Sequence, residues 1–560
     1  ILRKFKIILF GLLLAQFNLP LLSAQTLSME EQLRERLRNR IETVLPGNSL
    51  IVESEVVYAR QALPQFYERR GYRLAWFDPK GKPLPIAMEM LDAIRMSKSD
   101  GLQPGDYHPQ TIEQLMKQSE SAAKANLPVS YPLAVSLELL LTDAYLLLGS
   151  HFLAGKIDPQ TIDSEWIANR RDMDMASVLQ TAIDKKDIKG SLENLLPPQR
   201  GYTQLREQLA NYRILKKGNP LPALSEGDKL QPGNNSDRLI AIRILLQTFG
   251  DLSRSNPDSL LWYDTQLLDA VKRFQLRHGL DADGVIGKGT IAAITTSLDQ
   301  RIEQIEVNLE RWRWLPQDLG ETYILVNIAN FTLNVMDRKE RVLFSRVIVG
   351  RDYRRTPVFS DKMTYIVFNP YWHVPFNIAT QDILPSIKKN PDYLTQKRLK
   401  IFQGTGISQK EIDPTTLNWS DYSINKFPFQ IRQDPGPDNA LGVVKFMFPN
   451  KFNVYIHDTP AKELFQKNDR AFSSGCIRLQ NPLDLAEFLL KDTDGWSRQT
   501  INEVVKTARE QTVRLPNAMP VHLLYWTAWV DDTGMLNFRS DVYTRDKAVM
   551  IALKENPPIN

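Results

Sequence analysis

The sequence predicts a multidomain α+β protein: helical units first, then a β-rich domain. Three observations carry this. The chain has 560 residues, more than one domain normally holds. Its hydrophobic period changes from helix-like to two after about residue 320. A stretch rich in Lys, Gly, Pro, Asn and Ser, residues 215–235, separates two blocks of apolar periodicity and reads as a linker. Composition is that of a folded protein, with 42% hydrophobic and 24% charged residues. The net charge of +5 is mild for this length and suits an acidic polymer as neighbour. It gives no case for nucleic acid, which needs a concentrated basic face.

The first residues predict export. Arg3, Lys4 and Lys6 precede an apolar run at 7–15, interrupted by Gln16, Asn18 and Pro20. Small residues at Leu22-Ser23-Ala24 would allow cleavage before Gln25. Residues 1–24 are thus a signal peptide or an uncleaved inner-membrane anchor, and no Cys follows them that could carry lipid. Residues 25–45 are polar and suit a helical or flexible lead-in. Residues 46–230 form a helical scaffold domain, with helices expected at 55–70, 85–96 and 132–151. The apolar stretch 133–148 holds Glu138, Thr142 and Asp143, and is expected to be a buried core helix, not a membrane span.

Residues 237–298 predict a compact three-helix unit. Leu239, Ile242, Leu245 and Leu246 share one helix face; Leu268, Val271, Phe274 and Gln275 continue the pattern in a second helix. Gly279 caps that helix, Asp283-Gly284 turns, and Thr290 opens a last helix. The run 270–275 with Gly279-Leu280, Asp283-Gly284, Gly287 and Thr290 resembles the small peptidoglycan-binding module, which implies a wall ligand. A helical spacer without a ligand is the plain alternative. Gly287-Lys288-Gly289-Thr290 lacks the spacing of a phosphate loop.

Residues 320–545 form the β-rich domain. Strands are expected at 323–328, 331–336, 342–349, 363–368, 443–448, 454–457 and 521–530. An insertion at about 375–440, with a helix at 380–389, is long enough to be a functional lid.

The chemistry lies in 455–458 and 473–478. Cys476 is the only cysteine, which forbids an intramolecular disulfide; His457, one of six histidines, precedes it by 19 positions. On count alone a lone thiol is an inert one, but its neighbours argue otherwise. Thiolate is the attacking form, and an imidazole can take its proton. Tyr455 and His457 face one side of a strand. Gly475 permits unusual dihedrals beside the nucleophile, and its N–H, that of Cys476 and the Tyr455 hydroxyl are candidate oxyanion donors. Arg478 could bind a substrate carboxylate or lower the thiol pKa. Ser473, Ser474 and Trp372 are further candidate substrate contacts. His522 is expected to be a satisfied core residue, and Trp312 and Trp314 to pack between domains.

The pattern His457…Ser473-x-Gly475-Cys476-x-Arg478, with Gly350, Thr356-Pro357 and 439–442, resembles the L,D-transpeptidases with a YkuD-type catalytic domain. The order of leader, scaffold, wall-binding module and inserted catalytic domain resembles the large periplasmic YcbB-like members. The resemblance implies a periplasmic enzyme that forms 3→3 cross-links between peptidoglycan tetrapeptide stems through a Cys476 thioester, releasing D-Ala. It also implies a backbone carbonyl orienting the imidazole, for which Asp458 is the nearest match, and acylation by carbapenem β-lactams. No metal or organic cofactor is implied. Ser474 stands where the family usually has His, which bears on substrate positioning and not on the base. Two other classes stay open: a cell-wall cysteine peptidase (an L,D-carboxypeptidase), which usually places Cys before His, and a non-catalytic peptidoglycan-binding scaffold. A zinc site at His457, Asp458 and Cys476 lacks the ligands for closed coordination.

Overall fold

The computed structural model describes residues 27–558, apart from 45–47, 80, 126, 128–129, 168–169, 219, 226, 254–259 and 405. The expected leader, 1–24, lies outside the described residues.

The scaffold begins earlier than residue 46. Helix Met29–Glu42 is opened by a capping box between Ser28 and Glu31 and buries Leu33, Leu37 and Ile41 against the scaffold core. The helix expected at 55–70 is shorter. A hairpin of β1 (Ile51–Val52) and β2 (Glu55–Val56) precedes helix Ala62–Arg69. Its turn residues Glu53 and Ser54 both adopt left-handed backbone, as a tight hairpin requires. Helix Tyr131–Ala154 is apolar and long enough to cross a membrane, yet 83% of its most apolar window is buried inside the protein. Its acidic side chains are satisfied there. Asp143 accepts from the Tyr58 and Ala59 N–H groups and pairs with His108 at 2.9 Å; Glu138 accepts from the Ala75 and Trp76 N–H groups.

Helix Arg200–Lys217 runs into the expected linker, which therefore starts later than 215. Helices Arg238–Thr248, Thr265–Arg277 and Lys288–Ile294 enclose their own core around Leu239, Ile242 and Phe274. This module docks on the β-domain. Buried Arg277 pairs with Asp251 at 2.5 Å and reaches the Leu536 carbonyl, while Arg539 donates to the Arg277 carbonyl.

Helix Leu298–Arg313, which the periodicity left unassigned, joins the three units. Trp312 stacks on Trp526 of the β-domain, ring centres 4.2 Å apart, and Trp314 meets scaffold Trp166 edge-on at 4.9 Å. Scaffold and β-domain share one continuous apolar core through Trp166, Trp314, Val358 and Tyr525.

The β-domain is built from β3 (Thr322–Asn327), β4 (Thr332–Asp337), β5 (Glu340–Gly350), β6 (Phe359–Phe368), β11 (Val444–Met447), β12 (Ile456–His457), β13 (Ala471–Ser473), β14 (Ile477–Leu479) and β15 (Gln511–Leu524). They are ordered β13-β5-β14-β12-β11-β6-β15-β3-β4, and a further β5–β4 pairing brings the sheet's ends together. The strand expected at 521–530 is two elements. β15 stops at Leu524, because Asn327 accepts from the Trp526 N–H and pulls the chain aside. Ala528–Val530 (β16) then pairs with Leu536–Phe538 (β17). β15 also begins well before 521; Pro516 and Pro520 mask its period, and its register shifts between Arg514 and Met519.

The insertion is a folded subdomain. Trp372–His373 (β7), Leu399–Gln403 (β8), Lys410–Ile412 (β9) and Phe429–Gln433 (β10) form a sheet in the order β7-β10-β8-β9 over a core including Ile387, Ile401, Trp419 and Phe429. Its helix starts at Phe376, earlier than expected, and winds as a π turn over Ala379–Ile383.

Trp312→Ala should cost about 3–5 kcal/mol, as loss of a buried Trp does. Thermal unfolding of the whole chain should show it as a lower midpoint.

Candidate active site

Two short strands build the site. β12 and β14 run parallel, with Ile456 opposite Ile477 and His457 opposite Arg478. Paired residues share a face, so Ile456 and Ile477 enter the core while His457 and Arg478 point the other way. Tyr455 and Cys476 precede the paired residues by one and two positions of the same alternation. All four line one groove with a cavity of about 1090 Å³. Its other walls come from the insertion (Trp372, Pro375, Ile378), from 352–355 and from Glu165 of the scaffold.

The imidazole's tautomer is fixed. His457 Nδ1 lies 2.5 Å from the Asp458 carbonyl oxygen, which can only accept, so Nδ1 carries the proton. Nε2 is left as the free basic nitrogen. Burial, and then the Arg478 charge, push this imidazole down to about 3, so it is neutral at physiological pH. The Asp458 carboxylate does not face the ring: it accepts from the Val443 N–H at 2.9 Å and from Lys462 at 2.5 Å. Gly442, at φ +61°, leaves room for it, where any Cβ would collide.

Cys476 is half-buried, and its Sγ lies 4.0 Å from the Asn453 carbonyl. Burial pushes the thiol up, while hydrogen bonds from Tyr455 and the Arg478 charge pull it back. Resting groups are therefore a neutral thiol and a neutral imidazole.

The loop before Cys476 differs in part from expectation. Ser473 lines the groove, but its side chain is engaged within the loop. Its hydroxyl donates to the Cys476 carbonyl at 2.6 Å and accepts from the Gly475 N–H at 3.1 Å, closing the loop on itself. The Gly475 N–H is thus occupied and is not an oxyanion donor here. The Cys476 N–H has no partner among the described residues and remains the backbone candidate. Gly475, at φ +113°, makes the bend possible. Ser474 accepts from Arg354 at 3.1 Å, and the same guanidinium grips Gln381 and Asp382 of the insertion. Trp372 and His373 both line the groove from β7, His373 being the more exposed. His522 is satisfied by Ser360 at 2.8 Å and the Leu319 carbonyl at 2.9 Å.

Sequence reasoning missed two groups. Lys445 on β11 is opposite His457 in register and enters the groove. Tyr543, fully buried, donates to the Gly350 carbonyl at 2.5 Å and accepts from the Thr356 N–H at 3.3 Å. Thr356 in turn donates to the Gly475 carbonyl at 2.9 Å. Neither has a motif of its own; the strand alternation around Lys445 was the available signal.

Comparison with known proteins follows the same division. Residues 321–505 match the family described as L,D-transpeptidase catalytic domain (YkuD). The chain carries a YkuD L,D-transpeptidase domain. Residues 235–294 match "Putative peptidoglycan binding domain", and 61–209 match a scaffold domain. The chain is 36% identical over 260 residues to a Haemophilus influenzae protein named "Putative L,D-transpeptidase", covering 46% of this chain and 51% of that one. It is 34% identical over 82 residues to the Mycobacterium tuberculosis N-acetylmuramoyl-L-alanine amidase CwlM, covering 13% of this chain and 20% of the other. It thus spans about half the length of one curated relative and a fifth of the other. Two solved L,D-transpeptidases are also similar. That of Xylanimonas cellulosilytica is 14% identical, covering 54% of this chain and all of its own, at a TM-score of 0.17. That of Stackebrandtia nassauensis is 13% identical, covering 54% and 97%, at 0.21.

Two outcomes are expected. Alkylation of Cys476 by iodoacetamide should rise with pH through a midpoint above the usual thiol value of about 8.5. A plateau of fast alkylation near neutral pH would reveal a resting thiolate–imidazolium pair instead. Tyr543→Phe should keep the fold within about 1 kcal/mol, the worth of a hydrogen bond, yet change the rate at which iodoacetamide alkylates Cys476.

Proposed function

We propose that the protein is a peptidoglycan L,D-transpeptidase of the periplasm, in which Cys476 carries the acyl group and His457 moves the protons. The observation that carries this is one groove lined by a thiol and by an imidazole whose tautomer leaves Nε2 basic. A wall-binding module docked on the same domain supports a peptidoglycan substrate.

His457 Nε2 takes the Cys476 proton as the sulfur attacks the carbonyl before the terminal D-Ala of a donor tetrapeptide. The Cys476 N–H and the Tyr455 hydroxyl stabilise the oxyanion, each donor worth about 3 kcal/mol. The C–N bond breaks, the imidazolium protonates the departing amine, and D-Ala leaves a thioester. A diaminopimelate side-chain amine of a second stem attacks the thioester and gives its proton to His457. The thiolate departs and is reprotonated, leaving a 3→3 cross-link and no net change in the enzyme. The insertion, tied to the catalytic loop through Arg354, limits access of water to the thioester. Carbapenems acylate the same sulfur. An export leader at 1–24 delivers the chain, cleaved or retained as an inner-membrane anchor.

Purified disaccharide-tetrapeptide separates the alternatives. The transpeptidase releases D-Ala and yields cross-linked dimers, and Cys476→Ala binds wall but releases none. A peptidase yields tripeptide without dimers. A binding scaffold yields neither. Full turnover by Cys476→Ala would sink the assignment.

A further inference from the structure

One row across the sheet contains more than the base. On β11, β12 and β14 the registered residues are Lys445, His457 and Arg478, so two cations flank the imidazole on one face. Adjacent strands lie about 4.8 Å apart, which sets the two cationic strands roughly 10 Å apart with His457 between them. All three line the groove.

The other charges of this groove are already paired. Arg354 holds Asp382, and Arg355 holds Asp352 at 2.9 Å. Glu165 lies 3.9 Å from Arg545. Glu510, outside the groove lining, accepts from the Tyr371 N–H at 2.9 Å and is the carboxylate whose charge acts on Lys445 without an ion pair. Lys445 and Arg478 have no carboxylate within ion-pair distance among the described residues. Arg478 Nε is buried without any partner. Burial lowers the pKa of both cations, and for Lys445 the Glu510 charge only partly offsets it. Two partly desolvated cations facing a cavity, without an anion, are costly to hold unless a ligand supplies one.

We propose that Lys445, with Arg478, is a carboxylate-binding subsite that selects anionic stem peptides, making Lys445 a specificity-determining residue. The inference rests on the transpeptidase reading for the substrate's identity, but its geometry requires only a peptide carboxylate. A tetrapeptide stem has two sources, the terminal carboxylate of D-Ala and the free carboxylate of diaminopimelate. Lys445 offers a point charge on a flexible stem and Arg478 a planar fork, a combination suited to one carboxylate held from two sides.

Binding tests this without turnover. In full-length Cys476→Ala protein, calorimetry measures the affinity for synthetic disaccharide-tetrapeptide and for two analogues, one with a terminal carboxamide and one amidated at diaminopimelate. The expected result is a ~10- to 100-fold loss with one amide, the size of a charge-assisted hydrogen bond; the sensitive amide identifies which carboxylate is read. Adding Lys445→Met should bring the native ligand down toward the amide and remove most of the discrimination. Lys445→Arg should restore it, which a merely structural role would not. The proposal is overturned if neither amide binds more weakly, or if Lys445→Met discriminates as well as its parent. Failure of wild-type protein to release D-Ala would count against the transpeptidase reading, and this binding comparison would still stand or fall by itself.

Discussion

The parallel pairing of β12 with β14 is the constraint on which the site depends. Each strand pairs through two residues only, Ile456 with Ile477 and His457 with Arg478. A slip of one residue would turn His457 into the core and Ile456 into the groove. Register is held because Ile456 and Ile477 are fully buried, and burying such side chains is worth about 1.5–3 kcal/mol each. Neighbouring strands add to the lock: β11 matches Phe446 to Ile456, and β5 matches Val347 to Leu479. Catalytic alignment is thus a by-product of core packing, achieved without a long strand at the site.

The bend holding the thiol needs separate support, since Gly475 has no side chain to pack. Its carbonyl is held by Thr356, Thr356 accepts from the Gly350 N–H at 2.9 Å, and Tyr543 ties Gly350 to Thr356. Tyr543 itself is stacked on Tyr525 and covered by Arg545, whose Nε donates to scaffold Asp163 at 2.8 Å. Each hydrogen bond is worth only about 1 kcal/mol to stability. Their value lies in position, because small displacements of a reacting atom are expensive in rate. The scaffold gains a physical role here: Glu165 lines the groove, and Asp163 holds the arginine that covers Tyr543 below the catalytic loop.

The sequence made the site's centre legible and its supports much less so. Cys476, His457, Gly475 and Arg478 form a local pattern with a chemical meaning, and the Asp458 carbonyl was legible only through the resemblance to the L,D-transpeptidases. The sequence did not show that the Gly475 N–H donates to the Ser473 hydroxyl. Proximity to a nucleophile in sequence does not say whether a polar group faces substrate or closes its own turn. Tyr543 lies 187 positions from the Thr356 N–H it accepts from, a separation no periodicity reveals. The fold divided similarly. Amphipathic helices and the three-helix unit at 237–298 followed from period and caps, and its likeness to a peptidoglycan-binding module from a run of matching residues. The hairpin at Glu53–Ser54 carries no Asn-Gly signal, and the prolines in β15 hid a long strand.

The remaining tension is electrostatic. Attack requires thiolate beside imidazolium, yet the site holds both groups neutral. Protonating an imidazole pushed from its ordinary 6.5 down to about 3 costs roughly 5 kcal/mol more than in water. Burial is the larger cause, and Arg478 and Lys445 add to it. Arg478 also favours the thiolate, so it assists one half of the proton transfer while opposing the other. A bound carboxylate changes that balance. It neutralises the cations flanking His457 and removes their penalty on the imidazolium. The Cys476 N–H and the Tyr455 hydroxyl remain to serve the growing oxyanion. If the proposed subsite takes a carboxylate, the share of the penalty due to the cations is lifted, and the larger share, from burial, is left for the site itself to overcome.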